Sequence, residues 1–206
     1  MRKSAVLAGL LLLTASFVLA QDEFPKIETA PAFMYVHTPI NFGSFSKSFN
    51  CAGGGGTIAF NLTKMLGIAA DLGGCKYFGQ TLPEVSQKID GSLFTFLFGP
   101  RITLRSKSAF QPFFLVNFGG ARIKLSCASG TSCSDSNDSV SKTAFAMTAG
   151  GGFDIKLSKK FALRPIQAEY LLTRFGNSCS NGTCLDLGNQ NSFRLKSGIV
   201  MSWGGN

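Results

Sequence analysis

Between residues 144 and 175 the chain changes character at every second position, and few folds tolerate that pattern. Phe145, Met147, Ala149, Gly151, Phe153, Ile155 and Leu157 alternate with Ala146, Thr148, Gly150, Gly152, Asp154 and Lys156. A strand turns successive side chains to opposite faces, so a period of two marks a sheet lying between unlike media. In a soluble sandwich the apolar face would turn inward. Here the other face is glycine, alanine and threonine with a few ions, which suits a cramped polar interior. The apolar face is then the one that meets lipid. Ser158-Lys159-Lys160 turns the chain back into a second run of the same kind.

The period recurs along the chain and gives eight expected strands: 32–38, 54–61, 66–74, 89–104, 110–125, 144–157, 161–173 and 191–203. In the fourth, Phe94, Phe96, Phe98, Ile102 and Leu104 oppose Thr95, Gly99, Arg101 and Thr103. The fifth blurs at Gly119-Gly120, where a bulge is expected. The seventh changes parity around Pro165, because a proline inside a closed sheet requires an irregularity. Long connections (39–50, 76–88, 126–142, 176–190) alternate with short turns (62–65, 105–108, 158–160). An even number of antiparallel strands, with long loops at one end and tight turns at the other, predicts an all-β, eight-stranded antiparallel up-and-down transmembrane barrel. Phenylalanine supplies 20 of the 24 aromatic residues, as a lipid-facing band requires. Lys64, Arg105, Lys107, Lys159 and Lys160 make the short-turn end basic.

Residues 1–20 read as a cleaved signal peptide. Arg2 and Lys3 precede a run of apolar and small residues that ends at Val18-Leu19-Ala20. The alternative, an uncleaved membrane helix, asks that run to approach the ~20 residues a span needs. Residues 21–30 then form a short extension and 31–206 the barrel. Removing Arg2 and Lys3 with the signal leaves 18 basic and 11 acidic side chains, a net charge of +7. The cations are scattered or sit in turns and form no stripe, which with export argues against nucleic acid. Anionic lipid headgroups are the better partner. Past residue 20 every apolar run is far too short for a spanning helix, so a membrane chain must close into a barrel to satisfy every strand edge.

Phe98-Gly99-Pro100-Arg101, Phe118-Gly119-Gly120-Ala121, Ala149-Gly150-Gly151-Gly152-Phe153-Asp154 and Arg164-Pro165-Ile166-Gln167-Ala168-Glu169-Tyr170 resemble the OmpA-like transmembrane domain of outer-membrane, porin-family β-barrels. The resemblance runs from about residue 31 to residue 203. It implies the outer membrane of a diderm bacterium, with outer-membrane lipids and the barrel-assembly machinery as partners. The peptidoglycan-binding domain of longer relatives is not expected. The C-terminal aromatic of such barrels corresponds imperfectly to Trp203, which Gly204-Gly205-Asn206 follow.

The inward-facing ions are Asp71, Arg101, Asp154, Lys156, Arg164, Glu169, Arg194 and Lys196. Carboxylates beside bases can mark catalysis. An eight-stranded barrel, however, has an interior only wide enough for side chains to fill. Charges there must pair or be hydrated, so the expectation is a structural ion network, with a narrow water path as its rival. Glu169 is expected to pair with Arg101 or Arg164. Cys51, Cys75, Cys127, Cys133, Cys179 and Cys184 fall in or beside the long loops, and an even count in an exported chain reads as disulfides. Fifteen pairings exist; spacing favours Cys127–Cys133, Cys179–Cys184 and Cys51–Cys75, all beyond the hydrocarbon layer. The ligand spacing does not suit zinc, His37 is the one histidine, and no cofactor is expected. His37 reads as an interfacial residue with no nucleophile beside it, which weakens an enzyme reading. Gly53–Gly56 and Gly150–Gly152 lead into no helix and read as space-savers on a curved sheet, not phosphate loops. The expected role is structural and surface-displayed, with stiffened loops meeting an extracellular ligand or host surface. A small channel is the second reading and a membrane enzyme the third.

Overall fold

The computed structural model describes residues 24–204 apart from 43–44, 78–79, 83–86, 128–139, 176, 181–182 and 187–188. Eight long strands make up the wall: β1 (Ile27–Phe42), β2 (Phe45–Asn61), β3 (Leu66–Tyr77), β4 (Gln87–Thr103), β5 (Phe110–Cys127), β6 (Val140–Lys156), β7 (Phe161–Arg174) and β8 (Asn189–Trp203). Each pairs antiparallel with its sequence neighbours, and β1 pairs with β8, so the sheet closes on itself. Closure leaves no edge for lipid or another chain to exploit.

The strands run further than hydropathy suggests. Residues 39–42 and 45–50, expected as part of a loop, instead extend β1 and β2, whose ladder continues to Phe42 opposite Phe45. Beyond the hydrocarbon layer the ladder needs no apolar face, so the alternation fades while the hydrogen bonds persist. The 21–30 extension is also corrected: β1 begins at Ile27, opposite both Trp203 and Phe60. Within the other long connections, Gln80–Leu82 pairs with the start of β4, and Asn177–Ser180 forms a small ribbon with Thr183–Asp186. Residues 1–20 lie outside the described part.

Parity behaves as a barrel between lipid and a filled lumen demands. Phe94, Phe96, Phe98, Ile102, Phe114, Val116 and Phe118 are exposed on the outer wall. Around Pro165, β7 bulges against both neighbours: Lys196 faces Gln167 but Gly198 faces Arg164, and Phe153 faces Ile166 but Ile155 faces Leu163. The bulge lets Arg164 and Gln167, three apart, both point inward. No such shift occurs at Gly119-Gly120, where both registers run unbroken. A Cβ on Gly120 would lie 2.3 Å from the Phe96 ring, so the glycine makes room for an aromatic lying across it.

Candidate functional site: the lumen and its ion network

The interior has two regions, set by what alternate positions carry inward. Towards the short turns it is ionic. Eight charged residues are buried among those described, four acidic (Glu28, Asp71, Asp154, Glu169) and four basic (Arg101, Arg164, Arg194, Lys196). With Arg105, whose side chain is also nearly buried, the four carboxylates meet five cations. Each charge must find a partner, because an unpaired one in a dry lumen would cost several kcal/mol.

The pairs form one continuous chain. At the short-turn end Arg105 donates through Nη2 to Glu28 Oε1 at 2.8 Å and through Nη1 to the Lys64 carbonyl at 2.6 Å. Glu28 Oε2 accepts from Arg101 Nη1 at 2.7 Å, and Arg101 Nη2 reaches Asp154 Oδ2 at 3.1 Å. Arg164 grips Asp154 with a two-pronged fork, Nε to Oδ1 at 2.7 Å and Nη2 to Oδ2 at 2.9 Å. Such bidentate, charge-assisted contacts are the strong and directional ones. The Phe113 ring, fully buried, lies beneath both guanidiniums, 4.5 Å from Arg101 Cζ and 4.3 Å from Arg164 Cζ. Its π-face offsets part of the repulsion between two neighbouring cations.

Gln167 joins this cluster to a second one. It accepts from Arg164 Nη1 at 2.9 Å and donates to Glu169. Glu169 accepts from Arg194 Nε at 2.5 Å, and Arg194 Nη2 also lies 3.1 Å from Asp71 Oδ1. Asp71 is completed by Lys196 and by the Thr57 hydroxyl at 2.8 Å. Together with Thr95, which Arg194 reaches at 3.3 Å, and Phe113, every one of the eight strands contributes a side chain to the network. Nothing in this arrangement leaves a nucleophile beside a free base. It neutralises, cross-links and fills.

Towards the long connections the lumen is mainly apolar, with Thr38 and Ser192 sharing a buried 2.8 Å hydrogen bond at its far end. Met34, Val36, Cys51, Cys75, Leu93, Leu97, Ala121, Ile123, Ala146, Leu171 and Phe175 pack into one buried cluster. Cys51 and Cys75 form a disulfide with Cα atoms 5.5 Å apart.

The outer membrane protein beta-barrel domain matches this sequence over residues 5–196. The chain belongs to that family. Its fold is similar to that of the Neisserial surface protein A, at 12% identity and a TM-score of 0.59, covering 86% of this chain and 97% of that one. It is also similar to OprG from Pseudomonas aeruginosa, at 11% identity and a TM-score of 0.52, covering 90% and 99% of the two chains. The outer membrane protein AlkL, solved in lipid bilayers, gives 14%, 0.50, 89% and 92%. No protein of curated function matches the sequence.

Within this outer-membrane barrel, several expectations about the lumen change. Asp71, Arg101, Asp154, Arg164, Glu169, Arg194 and Lys196 are brought together, but Lys156 is not. It is the last residue of β6 and is exposed at the barrel mouth, where a long side chain reaches water. Glu169 pairs with Arg194 rather than with Arg101 or Arg164, which share Asp154. Arg194 is the residue directly opposite Glu169 in the β7–β8 ladder. Glu28, within the expected 21–30 extension, is an inward residue of β1. The alternation Glu28, Ala30, Ala32, Met34, Val36 carries it, uninterrupted across Pro31. Arg105 belongs to the network too, from a turn rather than a strand. The expected Cys51–Cys75 bond forms, but it joins β2 to β3 inside the barrel, buried at both ends, instead of bridging the first two long loops. Cys179 and Cys184 are opposed in the backbone of the small ribbon. The side chains of Cys127, Cys133, Cys179 and Cys184 lie outside the described residues. His37, half-buried on β1, shares a 2.7 Å hydrogen bond with Asn50 of β2.

Proposed function

We propose that this protein is a structural, surface-displaying barrel of the outer membrane whose lumen is plugged. Loops stiffened by disulfides would be held at the cell surface to contact an extracellular ligand or a host surface. The observation that carries the reading is the continuous chain of ion pairs from Arg105 to Lys196, with an apolar cluster stacked beyond it. The plug sets four carboxylates against five cations, Arg101, Arg105, Arg164, Arg194 and Lys196, each already engaged, so none is left free to select a permeating ion. A barrel closed in this way contributes a rigid frame and displays its loops. Outer-membrane lipids and the barrel-assembly machinery are its implied partners.

Planar-bilayer recording of the purified protein tests the reading. The plugged barrel gives no steady conductance. Large, regular openings in the unmutated protein would transfer the proposal to a small channel for ions or small solutes.

A further inference from the structure

At the short-turn end, below the ion network, the barrel opens into a cavity of about 710 Å³. Its lining brings together four lysines from separate parts of the chain: Lys107 from the β4–β5 turn, Lys156 from the end of β6, and Lys159 and Lys160 from the β6–β7 turn. Among the described residues none of the four has an ion-pair partner. Their backbone is held in place. The Lys156 amide donates to the Ala109 carbonyl at 2.8 Å, tying the two turns together, and the Ser202 amide donates to the Lys160 carbonyl at 2.9 Å. Ser158 Oγ accepts from the amides of Lys160 and Phe161 at 3.3 and 3.1 Å, which fixes the β6–β7 turn.

Two carboxylates also line the cavity, Glu28 and Asp154. Their oxygens are already engaged by Arg105, Arg101 and Arg164. An incoming cation therefore finds no free carboxylate, whereas an anion finds four free ammonium groups. Gln111 provides the second, independent observation. It lines the same cavity, is 5% exposed, and its Nε2 has no hydrogen-bond partner among the described residues. A buried donor left without an acceptor costs about 1–3 kcal/mol, and an acceptor entering the cavity would relieve that cost. Lysines act as point charges towards phosphate oxygens, and a cleft lined by one sign of charge concentrates the opposite ion.

We propose that this vestibule is a binding site for a phosphate-bearing anion, held by Lys107, Lys156, Lys159 and Lys160 and oriented by the Gln111 amide. The site is blind, because the ion network closes its inner end. It binds whether or not the plug ever admits ions.

The test uses the full chain in phosphatidylcholine nanodiscs, titrated with inorganic pyrophosphate while backbone amide NMR signals are followed. Saturable shifts confined to residues 107–111 and 156–161 are expected. The K107Q/K159Q/K160Q variant, altered only in exposed turns, should lose affinity by about tenfold or more, and Gln111→Met by at least roughly tenfold, as loss of a charge-assisted hydrogen bond implies. Nanodiscs containing phosphatidylglycerol, without pyrophosphate, form the second arm. The same shifts there identify a lipid headgroup as the source, and shifts with pyrophosphate alone identify a soluble phosphate compound. Absence of saturation in both arms overturns the proposal. Unchanged affinity in Gln111→Met also overturns it, since the lysines would then only be gathering counterions.

Discussion

The two halves of the lumen share one outer wall and are filled by opposite means. Glu28, Arg101, Asp154 and Arg164 lie near the short-turn ends of their strands, and each holds its place by directed bonds to a named partner. Val36, Leu93, Ile123 and Leu171 lie nearer the long connections, and they hold theirs by contact alone. Apolar side chains face outward around both halves, and outside the apolar half they give way to exposed Lys76, Arg122, Lys124 and Arg174 towards the long connections. A membrane barrel is thus not a soluble protein turned inside out: only the ionic half is inverted, while the other is packed like an ordinary core. The halves should fail differently. Deleting one member of an ion pair strands its partner, whereas deleting methyl groups opens a cavity whose cost depends on how far the site collapses.

Asp154→Ala should produce the largest loss. Arg164 would keep only Gln167 and Arg101 only Glu28, and breaking such a buried pair costs about 3–5 kcal/mol. Urea unfolding in lipid vesicles measures it, and a cost below about 1 kcal/mol would mean that water reaches the site. Leu171→Ala, in the apolar half, should cost about 2–4 kcal/mol. Its cost should not change with salt, whereas the cost of Asp154→Ala should fall as salt rises if solvent enters the ionic half. A salt response at Leu171 would blur the distinction between the halves.

The glycine run on β2 sharpens the comparison at smaller scale, by setting inside against outside within one strand. A Cβ on inward Gly53 would lie 2.0 Å from the Gly74 carbonyl oxygen, whereas one on outward Gly54 meets nothing closer than 3.7 Å. Gly53→Ala should therefore cost about 1–3 kcal/mol, and Gly54→Ala should stay within about 0.5 kcal/mol of the unmodified protein. Equal costs would mean that β2 and β3 can separate to admit the methyl group.

Period-two alternation made the wall legible from sequence, down to the change of parity at Pro165, because lipid and lumen impose opposite demands on adjacent residues. The lumen was harder to read. Leu93, Leu97, Phe113 and Leu115 face inward beside outward-facing phenylalanines, and hydropathy cannot separate two apolar faces. Parity says which side a residue faces but not how deep it lies, so Lys156 at the barrel mouth looked the same as Lys196 within it. Nor does it give cross-strand register, which decides that Glu169 meets Arg194. The β1 start was obscured by Pro31, although a proline facing lipid leaves the inward period of Glu28 and Ala30 intact.

The central claim, a dry and fully paired ionic plug, is tested most directly on the guanidinium protons themselves. Arg164 Nε–H points at Asp154 and Arg194 Nε–H at Glu169, whereas Arg101 Nε has no hydrogen-bond partner among the described residues. In ¹⁵N-arginine-labelled protein in lipid bilayers, the Arg164 and Arg194 Nε–H protons should give separate, slowly exchanging NMR signals. Rapid exchange of both with bulk water would contradict the account, because it would mean that solvent runs through the network.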